Sequence, residues 1–190
     1  MRKRAAVLGS PISHSLSPAL HNAGYLSLGI EGKYEAVEVK SGELPTFMDQ
    51  VRKAEVNWIG FSLTMPLKEE ALSVADKIDP LAKQINSANT LVPTPDGWFA
   101  SSTDVAGFIW ALAQHQVQNF KTVQILGAGA TARASAAAID APGRSIQVIS
   151  RNSQREAALR NCVLDADLSF GNWENLVLDA DLVINTSPKG

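Results

Sequence analysis

TVQILGAGATA, residues 122–132, is the stretch that decides the fold. Thr122 to Leu126 is an apolar run of strand length, and Gly127, Ala128, Gly129, Ala130, Thr131 and Ala132 follow as a G-x-G-x-x-A turn that opens an alanine-rich helix. A turn of this kind brings bare backbone N–H groups against a pyrophosphate at a helix N-terminus. The next strand-like run, Ser145 to Ile149, ends in Ser150-Arg151-Asn152. An NAD site usually places an acid there for the ribose 2′-hydroxyl, so an arginine points to NADP instead. The stretch 122–149 therefore reads as one βαβ unit.

Working outward, strands and helices continue to alternate, which predicts an α/β fold. Asn152 to Arg160 predicts a helix and Asp181 to Asn185 a third strand. On the N-terminal side, Val105 to Gln116 predicts a long helix, and Leu91-Val92 and Trp98-Phe99 flank a hairpin turn at Asp96-Gly97. Ala5 to Gly9, Tyr34 to Val39 and Trp58 to Leu63 predict further strands. A helix opens near Pro18 and ends by Gly29, and Leu44 to Lys53 carries Leu44, Phe47, Met48 and Val51 on one helical face. Lys68 to Ile78 predicts a helix started by Pro66. The boundary falls near 104, giving residues 1–104 and 105–190 as two domains. A dinucleotide domain of two mononucleotide halves needs more than three strands. The ending Asn185-Thr186-Ser187-Pro188-Lys189-Gly190, just past a strand, therefore leads us to expect a truncated second domain or a partner on its sheet edge.

The bulk numbers exclude several classes. In 190 residues, 45% hydrophobic and 19% charged, the formal net charge is −2, which offers no attraction for nucleic acid or an anionic membrane. No run reaches membrane-spanning length, and Ala5 to Leu8 is too short for a signal-peptide core. The single Cys162 cannot form an intrachain disulfide, and His14, His21 and His115 have no metal-ligand spacing. The expectation is a cytoplasmic protein acting on a small molecule, with no metal, as monomer or homodimer.

Four polar segments precede the glycine turn. In Gly9-Ser10-Pro11-Ile12-Ser13-His14-Ser15-Leu16-Ser17-Pro18-Ala19-Leu20-His21-Asn22, Ser15 and Ser17 either cap a helix and make turn bonds or offer hydroxyls to a carboxylate or polyhydroxylated ligand. His14 and His21 read as structural. In Gly60-Phe61-Ser62-Leu63-Thr64-Met65-Pro66-Leu67-Lys68, Lys68 follows a strand end, where it is either a solvated surface lysine or an acid–base group. Asn89, in Asn86-Ser87-Ala88-Asn89-Thr90, is a turn residue or a ligand for hydroxyls. Asp104, in Ser101-Ser102-Thr103-Asp104, is a helix N-cap or a carboxylate that steadies the charge of Lys68.

Each segment is weak alone, but their order strongly resembles the shikimate dehydrogenase family from Val7 to Gly190. The resemblance implies an N-terminal α/β substrate domain, a Rossmann-like NADP-binding domain, and reversible reduction of 3-dehydroshikimate to shikimate with NADPH in chorismate and aromatic amino acid biosynthesis. It implies that Ser15 and Ser17 bind the substrate carboxylate, that Thr64, Asn89 and Asp104 hold its hydroxyls, and that Lys68 and Asp104 form the catalytic pair. It further implies that Gly127, Ala128, Gly129 and Ala130 meet the pyrophosphate and that Arg151, beside Asn152, meets the 2′-phosphate. Thr186 lies in a loop like the one the family places near the nicotinamide. Ser62 stands where asparagine is commoner, Asn86-Ser87 where Gly-Ala is usual, Ser102 where asparagine is usual, and Ala130 where a third glycine is usual. The alternatives are a quinate/shikimate dehydrogenase and a non-catalytic shikimate-binding module.

Overall fold

The computed structural model describes residues 2–174 and 176–187. The chain divides into two compact units, one formed by Met1–Lys83 with Ser87–Ser102 and the other by Gln84–Asn86 with Thr103–Gly190.

The first unit is a six-stranded mixed sheet. Its strands are β1 (Lys3–Gly9), β2 (Gly32–Glu38), β3 (Trp58–Leu63), β4 (Lys77–Ile78), β5 (Thr90–Thr94) and β6 (Gly97–Ser101). They lie in the order β2-β1-β3-β5-β6-β4. β1 is flanked by parallel partners on both sides, and Ala5 to Gly9 are buried on both of its faces, so it reads as an apolar run. Ala6 and Leu8 enter a core with Met48, Phe61, Leu63 and Trp98, while Ala5 and Val7 join Ile12 and Tyr34. The alternation follows from the two-residue period of a strand. Phe61 is the aromatic hub, with ring centroids 5.5 Å from Phe47, 4.9 Å from Trp58 and 5.3 Å from Trp98. Truncating a fully buried leucine such as Leu8 would cost about 2–5 kcal/mol.

Helix α1 (Ser17–Ser27) buries none of its side chains fully. It is tied to β2 by Asn22, whose amide donates to Tyr34 O at 2.8 Å and accepts from Tyr34 N at 2.9 Å. Helix α2 (Leu44–Lys53) lies where its apolar period predicts it and buries Leu44, Met48 and Val51. The helix predicted over 68–78 does not form. Residues 65–70 are turns, α3 is the single turn Ala71–Val74, and the chain becomes extended at Ala75 to pair as β4 with β6. A non-local partner, with Asp76 N donating to Trp98 O at 2.8 Å, overrides the local helical pattern. A further short helix, α4 (Pro80–Gln84), follows.

The second unit carries α5 (Asp104–Gln114) and a four-stranded parallel sheet. Its strands are β7 (Thr122–Leu126), β8 (Ser145–Ile149), β9 (Asp167–Gly171) and β10 (Leu182–Asn185), in the order β10-β7-β8-β9. Helix α6 (Ala130–Ile139) joins β7 to β8, which makes the predicted βαβ unit. Ala132 and Ala136 let this helix approach Val123, Ile125, Ile146 and Val148 in one core. The predicted helix over 152–160 is a 3₁₀ turn, Ser153–Arg155, that runs into α7 (Glu156–Arg160). β9 is a fourth strand that the sequence pattern missed. It is an edge strand with Asp167 and Ser169 exposed, so its apolar signal is limited to Leu168 and Phe170. Among the described residues no helix is long and apolar enough to cross a membrane.

Candidate active site

In the first unit the site residues gather where β1, β3 and β5 meet. Thr64, just past β3, donates its backbone N–H to Leu8 O at 2.9 Å, and Ser10 N donates to Met65 O at 3.1 Å. Gly9 makes this approach possible, because a Cβ there would lie 2.5 Å from Thr64 Cγ2 and 2.9 Å from Met65 O. The serine loop and the Thr64–Lys68 turns are thereby packed on each other. Asn89 precedes β5; its carbonyl accepts from Leu63 N at 2.8 Å and its N–H donates to Ser101 O at 3.1 Å. Thr90 Oγ1 donates to Asn89 Oδ1 at 2.7 Å, which sets the amide's orientation. Lys68 is half-buried, and its carbonyl accepts from Ala88 N at 2.8 Å. Thr64, Lys68 and Asn89 thus share one backbone network.

Ser15 and Ser17 are half-buried at the start of α1. Neither caps the helix: the cap position is Leu16, and Ser15 Oγ accepts from Ser17 N at 3.3 Å in a turn. His21 is stacked on Tyr34 with centroids 4.0 Å apart and planes 5° off parallel. Tyr34 titrates above its usual range, chiefly because burial disfavours the phenolate.

Asp104 belongs to the second unit. It is the first helical residue of α5 and not its cap, a position held by Thr103. A carboxylate in the first turn is favoured by the helix dipole.

The glycine turn has the shape its sequence predicts. Gly127 holds φ +107, and a Cβ on it would meet Thr186 Oγ1 at 2.6 Å. Gly127 N donates to Ile149 O at 2.9 Å, while Thr186 donates twice to Leu126 O, from N at 2.9 Å and Oγ1 at 2.8 Å. Gly129 lies in extended backbone at φ −81 and ψ −170, ahead of the ten-residue helix α6. Ala128 is buried and Ala130 starts the helix.

The parallel register Leu126↔Ile149 brings Arg151 to the same end of the sheet as this turn. Its guanidinium sits over the Trp173 ring, 5.4 Å from the centroid. Asn152 Oδ1 accepts from Gln154 N at 2.9 Å, capping the 3₁₀ turn. Sequence reading missed Arg155, whose Nη1 lies 3.7 Å from where a Cβ on Gly129 would stand. Its only signal is a second arginine four positions after Arg151. The residues fit a phosphorylated dinucleotide: a turn of glycines and alanines, a helix start and two guanidinium groups on one sheet end. Pro188, Lys189 and Gly190 of the closing loop lie outside the described residues.

Residues 7–91 match the family described as the shikimate dehydrogenase substrate binding domain. A relative from Thermus thermophilus, named shikimate dehydrogenase (NADP(+)), is 40% identical over 156 residues, which cover 82% of this chain and 58% of the relative. A protein of the same name from Natronomonas pharaonis is 34% identical over 187 residues, covering 97% of this chain and 69% of its own length. The crystal structure of the Thermus thermophilus shikimate 5-dehydrogenase in complex with NADP(H) and shikimate superposes with a TM-score of 0.81 at 36% identity, covering 97% of this chain and 68% of that one. The chain thus spans between 58% and 69% of the length of these relatives.

Proposed function

The chain belongs to the shikimate dehydrogenase family, and on that premise we propose that it serves the reversible, NADPH-dependent reduction of 3-dehydroshikimate to shikimate. The observation that carries the reading is the β7–β8 register, with a turn of glycines and alanines after one strand and Arg151 after its neighbour. An arginine there favours NADP over NAD.

In this reading Ser15 and Ser17 bind the substrate carboxylate, and Thr64, Asn89 and Asp104 orient its hydroxyls. Backbone N–H groups at Ala128 to Ala130 receive the pyrophosphate, with Gly127, whose own N–H is bonded to Ile149 O, shaping the turn; Arg151 and Asn152 hold the 2′-phosphate end, and Thr186 stands on the nicotinamide side. When bound, NADPH supplies the hydride that reaches the carbonyl carbon of 3-dehydroshikimate. Lys68 gives its Nζ proton to the carbonyl oxygen as that oxygen becomes a hydroxyl, and recovers it in the reverse direction. Asp104 is the second member of the proposed catalytic pair.

The test follows NADP reduction at 340 nm with shikimate, for the wild type and Lys68→Ala, beside calorimetric titration of both ligands. The wild type turns over with NADP in preference to NAD, and Lys68→Ala loses about 10²–10⁴-fold in kcat while still binding shikimate. Equal turnover in the two proteins would overturn the role of Lys68. Saturable shikimate binding without turnover by the wild type would leave a binding module instead.

A further inference from the structure

Arg133 carries a charge into the interior that the reaction above does not use. It lies on α6 at 2% exposure, and such a guanidinium is costly to bury unless it is hydrogen-bonded. Its Nε donates to Ile85 O at 2.7 Å and its Nη2 to Asn86 O at 3.1 Å. One rigid fork thus holds two successive carbonyls, a geometry that lysine cannot reproduce. Cys162 Sγ adds a weaker contact, 3.7 Å from Gln84 O. Asn86 itself has φ +47, in the left-handed region that glycine and asparagine enter most readily. That conformation explains why asparagine can stand where the family usually has glycine.

The residues that follow immediately are the backbone of the proposed substrate site. Ser87 N donates to Ala82 O at 3.0 Å, Ala88 N to Lys68 O at 2.8 Å and Asn89 N to Ser101 O at 3.1 Å. We propose that Arg133 is a positioning residue for the substrate side of the reaction: by fixing the backbone at Ile85 and Asn86, it sets the point from which Ala88 holds Lys68 and Asn89 enters β5. The proposal rests on the functional reading above for its kinetic consequence. A merely local role for Arg133, supporting the helix that opens at the glycine turn, would act on the cofactor instead.

The experiment compares the wild type, Arg133→Met and Arg133→Lys in steady-state kinetics with shikimate and NADP, and in amide hydrogen exchange without ligands. Arg133→Met is expected to lower kcat/KM for shikimate about tenfold or more and to leave the KM for NADP within about twofold. Arg133→Lys keeps the charge but not the fork, and recovers only part of the loss. Exchange at Ser87, Ala88 and Asn89 speeds up in both variants. A loss confined to the KM for NADP, or unchanged exchange at these three amides, would overturn the proposal. If the wild type shows no turnover of shikimate, the functional reading fails, while the exchange comparison still decides whether Arg133 fixes this segment. Where the methionine variant does not fold, the lysine variant gives the same comparison.

Discussion

The two glycines of the turn should respond to the same substitution in opposite ways. Gly127→Ala forces a side chain onto a residue at φ +107 and sets its Cβ 2.6 Å from Thr186 Oγ1. A non-glycine residue held in such a region costs about 1–3 kcal/mol. Relief of the clash must also displace Thr186 from its two bonds to Leu126 O, one of them from a backbone N–H. A total of about 2–3 kcal/mol lowers the melting temperature of a chain of this size by roughly 4–12 °C. Gly129→Ala meets no such obstacle: its backbone is in an ordinary region, and the nearest atom to the new methyl group is Arg155 Nη1 at 3.7 Å. Replacing glycine by alanine just before a helix costs under about 1 kcal/mol. The methyl group would, however, occupy the path by which a phosphate reaches the backbone N–H groups. Losing one charge-assisted contact weakens NADP binding by about 10–100-fold. Thermal unfolding and NADP titration on both variants check the pair. A Gly127→Ala protein that melts with the wild type, or a Gly129→Ala protein that binds NADP unchanged, would refute the reasoning.

Arg151→Gln should raise the KM for NADP about 10–100-fold and leave the KM for NAD unchanged, measured with the two cofactors in parallel. Ser87 is fully buried and its Oγ has no hydrogen-bond partner among the described residues, so Ser87→Ala should gain about 1 kcal/mol in urea unfolding. Asp181 accepts from Thr122 N, Lys121 N and Thr122 Oγ1, and these bonds hold its pKa below the usual carboxylate value. Its contribution is therefore complete above about pH 4 and is lost as acid titrates it at lower pH. Asp181→Asn should melt earlier than the wild type at pH 7, with the gap closing only below about pH 4.

What was legible in the sequence is what local chemistry determines. α2 over Leu44–Lys53, β3 over Trp58–Leu63, β7 over Thr122–Leu126 and β8 over Ser145–Ile149 fall on their predicted bounds, because each shows an uninterrupted period or apolar run. The elements misread are those that owe their form to distant partners. β4 exists through Phe99 and Ala100, and β9 through β8. For the candidate site residues, the sequence offered types and order but not their bonding. Asp104 yields the cap position to Thr103, and Ser15 bonds a turn N–H that its spacing only allowed for. Arg155 and Arg133 could not be singled out, since the groups they face lie far away in the chain.

The second unit is built from pieces that are not contiguous in the gene. Gln84–Asn86 belong to it, and the carbonyls that accept from Arg133 stand 47 and 48 positions upstream of that arginine. A polypeptide started at Thr103 would therefore bring a cation into its interior and leave its acceptors behind. Anyone wishing to dissect, transplant or circularly permute this half of the protein must carry the tripeptide along, or first exchange Arg133 for an apolar side chain of similar length.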